Sequence, residues 1–81
     1  MIHAFAMRLE DVFSKVLRVP AATLTDASSP QTVPGWDSMA TMNLVAALEE
    51  LHAIELSTAE IRNFTSLGAV RAVLRDHGVA T

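Results

Sequence analysis

Apolar residues in this chain recur at intervals of three and four, the spacing of a helix, and almost nowhere at two. Phe5, Leu9, Val12, Phe13, Val16 and Leu17 follow the i, i+4, i+7, i+8 pattern of one buried helical face. The strand period finds no run longer than the four residues "AIEL" at 53–56. A chain patterned in this way folds as packed helices. With 81 residues, 51% of them hydrophobic and 19% charged, it holds enough apolar material for one small core and no more. It has no cysteine to staple that core, so helix packing must supply the stability. Residues 1–81 are read as a single domain.

Pro20 ends the first helix, and from there to Pro34 three prolines and several Ser and Thr residues interrupt any periodicity. This is a long first loop, of the kind that is functional or packed down by its own side chains, and Leu24 and Val33 are the anchors available to it. A second helix is predicted from Asp37 or Ser38 to about His52. Met42, Val45, Leu48 and Leu51 lie on its core face with Leu44 beside them, while Thr41, Asn43, Glu49 and Glu50 lie mostly off it. "AIELS" reads as an extended connector, and "STAE" at 57–60 is a capping box that starts a short third helix ending near Phe64. Thr65 or Ser66 caps a last helix that buries Leu67, Val70, Val73 and Leu74, and Gly78 stops it. The expected fold is all-α, a four-helix bundle of three longer helices and one short third helix.

Charge narrows the function. Between Val19 and Ile61 there is no Lys or Arg, but there are six acids: Asp26, Asp37, Glu49, Glu50, Glu55 and Glu60. Such a segment repels phosphates and favours basic protein partners over a screening length of about 8 Å, so nucleic acid is not an expected partner. Association with those partners is expected to weaken as ionic strength rises. The stretch "MIHAFAMRLEDVF" lacks a basic start followed by an apolar run, and no segment reaches membrane-spanning length, so the expected location is the cytoplasm, away from membranes. His3, His52 and His77 fall on different elements without ligand spacing, which predicts surface or core-edge roles and no metal site. Arg71 and Arg75, four apart on the last helix, read as a solvated face whose basic edge can neighbour the acidic segment.

The most informative stretch is "PGWDSMATMNLVAALEE" at 34–50. It sets Asp37 and Ser38 where a loop becomes a helix. Both are favoured caps, and capping alone accounts for a DS pair at a helix start. Ser38 is not equipped as a nucleophile of its own, because that would need a base and an oxyanion hole, while His3, His52 and His77 are scattered over different predicted elements and there is no G-x-S-x-G turn. A serine at a helix start does present its hydroxyl outward, and a phosphate attached there would be favoured by the helix dipole by about 0.3–1 kcal/mol.

"GWDSM" followed by "LVAALEE" resembles the acyl carrier protein family, whose motif is Gly-x-Asp-Ser-Leu. The length, the long loop, "LTDAS" at 24–28, "ALEE" at 47–50 and the short third helix extend the likeness over nearly the whole chain. The resemblance implies a discrete, non-catalytic carrier. Ser38 would be esterified by 4′-phosphopantetheine, drawn from coenzyme A by a separate, magnesium-dependent phosphopantetheinyl transferase. Acyl groups would ride as thioesters on that arm to enzymes of fatty-acid, polyketide or related secondary-metabolite biosynthesis. The partners it implies are the transferase, an acyl-loading ligase or acyltransferase, and the downstream enzymes, with a monomer the default for a carrier this small. Partner recognition would fall to Asp37, Met39, Glu49, Glu50 and Trp36.

The chain departs from the family's pattern at three places. Met39 stands for the usual leucine, a volume-conserving change. Ala40 and Asn43 stand where many fatty-acid carriers are acidic, which leaves Glu49 and Glu50 as the acidic pair and leaves Met39 and Trp36 to supply apolar contact, with Met42 nearer the core; Trp36, one residue before the cap, can either cover the loop or face a partner. Two other readings are a peptidyl or aryl carrier loaded by an adenylating enzyme and an unmodified helical adaptor in which Asp37 and Ser38 only cap.

Overall fold

The computed structural model of the chain describes residues 7–81, so Phe5, expected on the first helical face, and His3 lie outside the described residues. The described chain holds four α-helices and no strand: α1 (Leu9–Leu17), α2 (Ser38–His52), α3 (Thr58–Arg62) and α4 (Leu67–Asp76). α1 buries Leu9, Val12, Phe13 and Leu17, as its spacing predicts, and ends one residue after Leu17 with Arg18 in the left-handed region. Its main partner is α2. α4 closes the bundle with Leu67, Val70, Val73 and Leu74, all buried.

The connection from Arg18 to Asp37 is packed, not free. It contains one 3-10 turn at Ala21–Thr23, and Leu24 and Val33 are both buried, as expected of its anchors. The stretch from Asp26 to Ser28 lies across the start of α4. The Leu67 N–H donates to the Ser28 carbonyl at 2.9 Å and the Gly68 N–H donates to the Asp26 carbonyl at 3.0 Å. Two of the N–H groups that a helix start leaves without intrahelical partners are satisfied in this way, and the Ser66 hydroxyl takes a third from Ala69. Gly68 is required by that approach: a Cβ there would stand 3.0 Å from the Asp26 Cβ and 3.1 Å from the Asp26 carbonyl oxygen.

Arg71 is not on a solvated face. Its side chain is 11% exposed and joins three segments. It donates to Glu10 of α1 at 2.6 Å, to Asp26 of the loop at 3.1 Å and to the backbone oxygen of Thr81 at 2.8 Å. Partial burial alone would pull its pKa down, but the hydrogen bonds and charges of Glu10 and Asp26 outweigh that and raise it. Arg75, four residues on, is exposed. Of the expected basic edge, only Arg71 meets the acidic segment, and it does so through Asp26.

The "STAE" capping box is present. The Glu60 N–H donates to the Ser57 hydroxyl and the Ser57 N–H donates to the Glu60 carboxylate at 2.8 Å. α3 stops at Arg62, two residues short of the expected end, and Phe64 tucks into the core behind it. His77 sits at the core edge with its Nε2 2.8 Å from Glu60, which ties the end of α4 back to α3.

Candidate functional site

The site begins in the loop. Gly35 adopts φ +85°, a left-handed conformation that an L side chain would strain, and this turns the chain so that Trp36 points inward and Asp37 outward. Trp36 is 3% exposed. Its ring packs edge-on against Phe13 of α1, with centroids 5.1 Å apart and planes at 81°, a favourable aromatic geometry. Of the two roles open to Trp36, the structure corrects the partner-facing one and shows the loop-covering one: its ring is a pin between α1 and the loop. Its one polar atom, Nε1–H, donates to the Thr41 hydroxyl at 3.0 Å.

Asp37 is the cap of α2. Its carboxylate accepts the Ala40 N–H at 2.8 Å, and its carbonyl accepts both the Thr41 N–H at 2.9 Å and the Thr41 hydroxyl at 3.0 Å. Capping, which Asp37 or Ser38 alone would have explained, is thus done by Asp37. Ser38 is the first residue inside α2 and is exposed, with its hydroxyl free of the capping duty. A 15-residue helix stands behind that hydroxyl, and its positive end favours an anion at this point.

Beyond Ser38 the exposed face of α2 carries Met39, at 75% exposure, and Met42, at 54%. Met42 was expected nearer the core, and the structure places it outside. The buried face is Ala40, Leu44, Val45 and Leu48, and at about 100° per residue Met42 lies about 160° around the helix from Leu44. Apolar residues lie on nearly every side of α2, so its pattern alone did not choose the face.

The expected acidic pair lies well away from Ser38 and is divided. Glu49 accepts the Leu56 N–H at 2.8 Å and so secures the connector after α2. Glu50 is exposed and lines a groove of about 480 Å³ between α1 and α2, together with Lys15, Val16, Ala47 and Leu51. Asp37, Ser38 and Met39 are brought together, then, with Trp36 beneath them, and Glu49 and Glu50 are not part of that cluster. Thr41 was missed. Its signal was available: a threonine four residues after a cap can bond back to the cap carbonyl and still accept from a neighbour.

No helix among the described residues is long and apolar enough to cross a membrane, and no group of three or more His, Asp or Glu residues among them could hold a metal ion. No protein-family model matches the chain, and no curated protein matches it significantly. Among solved structures it is similar to a holo acyl carrier protein from Nitrosomonas europaea, determined in solution by NMR, with a TM-score of 0.76 and 28% sequence identity. The likeness covers 99% of this chain and 100% of that one. The chain has an acyl-carrier-protein-like fold, all-helical with four helices among the described residues, and that is the fold of a carrier, generally non-catalytic.

Proposed function

We propose that this protein is an acyl carrier whose Ser38 Oγ is the attachment point for 4′-phosphopantetheine. The observation that carries the reading is the division of labour at the start of α2: Asp37 makes the cap hydrogen bond, and the adjacent Ser38 hydroxyl is exposed on the first helical residue. The residues fit the group. A phosphodiester on Ser38 would sit at the positive end of α2, where the first N–H groups have no intrahelical partner and negative charge is favoured by about 0.3–1 kcal/mol.

The chain's own part is to hold one oxygen still. Gly35 sets the turn, Trp36 pins it to Phe13, and Asp37 fixes the first turn of α2, so the hydroxyl is presented in one orientation to a separate transferase that uses coenzyme A and magnesium. When bound, the arm supplies a terminal thiol on which acyl groups are carried as thioesters. Delivery to enzymes of fatty-acid, polyketide or related secondary-metabolite biosynthesis follows, with the protein working as a cytoplasmic monomer. That the similar solved structure is a holo acyl carrier protein supports this reading.

The test is direct. The protein is incubated with coenzyme A, magnesium and a broad-specificity phosphopantetheinyl transferase, and the intact chain is weighed. A mass gain that disappears in Ser38→Ala supports the carrier. A folded sample that gains nothing favours an unmodified adaptor.

A further inference from the structure

The first loop folds around two recesses. One, of about 420 Å³, is walled by Val19, Val33 and Pro34 and edged by the hydroxyls of Thr23, Thr25 and Ser28. The other, of about 280 Å³, follows the chain from Pro30 to Asp37. Thr32, Val33 and Pro34 line both, so the two adjoin as one trough whose near end is the residue before Ser38. The larger recess alone falls within the size range of small-molecule sites.

The trough is built before anything enters it. Leu24 and Val33 anchor the loop in the core, and the carbonyls of Asp26 and Ser28 hold it to the start of α4. A site already in shape spares an occupant the cost of ordering it. Its lining also has a definite chemistry. Asp37 is the one charged residue among those that line it, and beyond Asp37 the walls are apolar or carry hydroxyls and the amide of exposed Gln31. Thr25 Oγ1 accepts the Ala27 N–H at 3.2 Å and Ser28 Oγ accepts the Thr25 N–H at 2.9 Å, and a hydroxyl that accepts keeps its own proton to donate.

Beyond its phosphate, a pantetheine arm on Ser38 is a neutral chain with two amides, one hydroxyl and a dimethyl branch. Amides leaving water need hydrogen-bond partners, and the dimethyl branch gains from an apolar wall. The trough offers both. The other way out from Ser38, along α2, passes exposed Met39 and Met42, whose side chains have no hydrogen to donate. The Asp37 carboxylate repels the phosphate, so only the neutral part of the arm suits the trough.

We propose that the trough of the first loop is the resting site of the pantetheine arm, which Val19, Val33 and Pro34 cover and the hydroxyls of Thr25 and Ser28 hydrogen-bond. This rests on the carrier reading above and deepens it by giving residues 19–34 a ligand. Strong affinity is not required, because a tethered chain meets its site at an effective concentration of about millimolar.

The test compares the full-length protein before and after loading with coenzyme A, magnesium and a broad-specificity phosphopantetheinyl transferase. In NMR spectra, loading is expected to shift the amides of Thr25, Ser28 and Thr32 as well as those beside Ser38, and the arm's methyl protons are expected to show contacts to Val19 or Val33. Ala27 is exposed and lines the larger recess, so Ala27→Phe fills the space without entering the core. A thiol sheltered half to three-quarters of the time reacts about two- to fourfold more slowly, so iodoacetamide should alkylate the loaded Ala27→Phe protein faster than the loaded wild type by about that factor.

Shifts confined to residues 36–40, or spread along α2 and α3 instead of the loop, overturn the proposal. Loop shifts that grow with protein concentration would give the trough to a second copy of the chain and overturn it too. Equal alkylation rates for wild type and a folded Ala27→Phe count against it in the same way, and the wild-type spectra decide the matter if that variant does not fold. A protein that gains no mass at all fails as a carrier and takes this proposal with it, whereas one that gains mass and leaves the loop unshifted fails this proposal alone.

Discussion

The indole Nε1–H of Trp36 donates to the Thr41 hydroxyl at 3.0 Å, and the same hydroxyl donates to the Asp37 carbonyl at 3.0 Å. A buried ring in the loop is thereby wired to the first turn of α2 across the residue that precedes Ser38. The same ring packs against Phe13 of α1. Bundle packing and the position of the exposed hydroxyl are thus mechanically one unit.

Removing the acceptor tests this link. Thr41→Val keeps the shape of the side chain but leaves the indole N–H of a buried tryptophan without its partner. The cost of such an orphaned donor is about 1–2 kcal/mol of folding stability. Thr41→Ser, which keeps the hydroxyl, is expected to stay closer to wild type. Urea unfolding followed by tryptophan fluorescence measures both, and equal stabilities for the two variants would show that the hydrogen bond contributes nothing.

Gly68 sets helix propensity against packing. In an exposed helix interior, Gly→Ala stabilises by about 1 kcal/mol. Here the added Cβ would meet the Asp26 Cβ at 3.0 Å and the Asp26 carbonyl oxygen at 3.1 Å, and that carbonyl already holds the Gly68 N–H. The loop must move off α4 to make room, at a cost of about 1–3 kcal/mol for overpacking. Gly68→Ala is therefore expected to lower Tm, and a raised Tm would mean that the loop yields freely.

Glu60 carries a pH dependence with a defined sign. The Ser57 backbone N–H is the strongest influence on its carboxylate and lowers its pKa; partial burial works against this, and the hydrogen bond and charge of His77 add to the lowering. A folded-state pKa held below the unfolded value of about 4.3 gives stability that is fully present above that value and is lost as pH falls through the folded one. The Tm gap between wild type and Glu60→Gln should thus be widest near about pH 6 and shrink as pH drops below about 4. A gap that stays constant over that range would show that the carboxylate charge has no part in holding α3 to α4.

Much of this was legible in the sequence because it is local. The helical face of α1, the break at Pro20, the start of α2, the Ser57–Glu60 box and the core face of α4 all follow from spacing and capping, which involve neighbours within about one turn. The loop anchors Leu24 and Val33 were also readable, since each is an isolated apolar residue in a polar stretch. Arg71 was not, because its partners Glu10 and Asp26 lie 61 and 45 residues away and only the tertiary fold brings them together. Met42 lies opposite to expectation, and Trp36 stayed open between core and partner, for a related reason. A large apolar side chain can fill a core or face a partner equally well, and the choice was made by Phe13 in the first case and by the stripe through Leu44 and Leu48 in the second.

Asp37 combines a structural role with a proposed role in recognition by the transferase, and two substitutions separate them. Asp37→Ala removes the side chain that accepts the Ala40 N–H, and loss of such a cap costs about 1 kcal/mol. Asp37→Asn keeps an equally good cap oxygen and removes only the charge, so its stability should remain close to wild type. If Asp37 acts on Ser38 only by setting the first turn of α2, then Asp37→Asn is primed by the transferase as fast as the wild type, and Asp37→Ala is slowed in step with its fraying. If the carboxylate charge is itself recognised, Asp37→Asn is folded, fully capped and slow to gain mass. Thermal denaturation and the mass-gain assay on the same samples decide between the two, because only recognition of charge slows a variant whose helix start is intact.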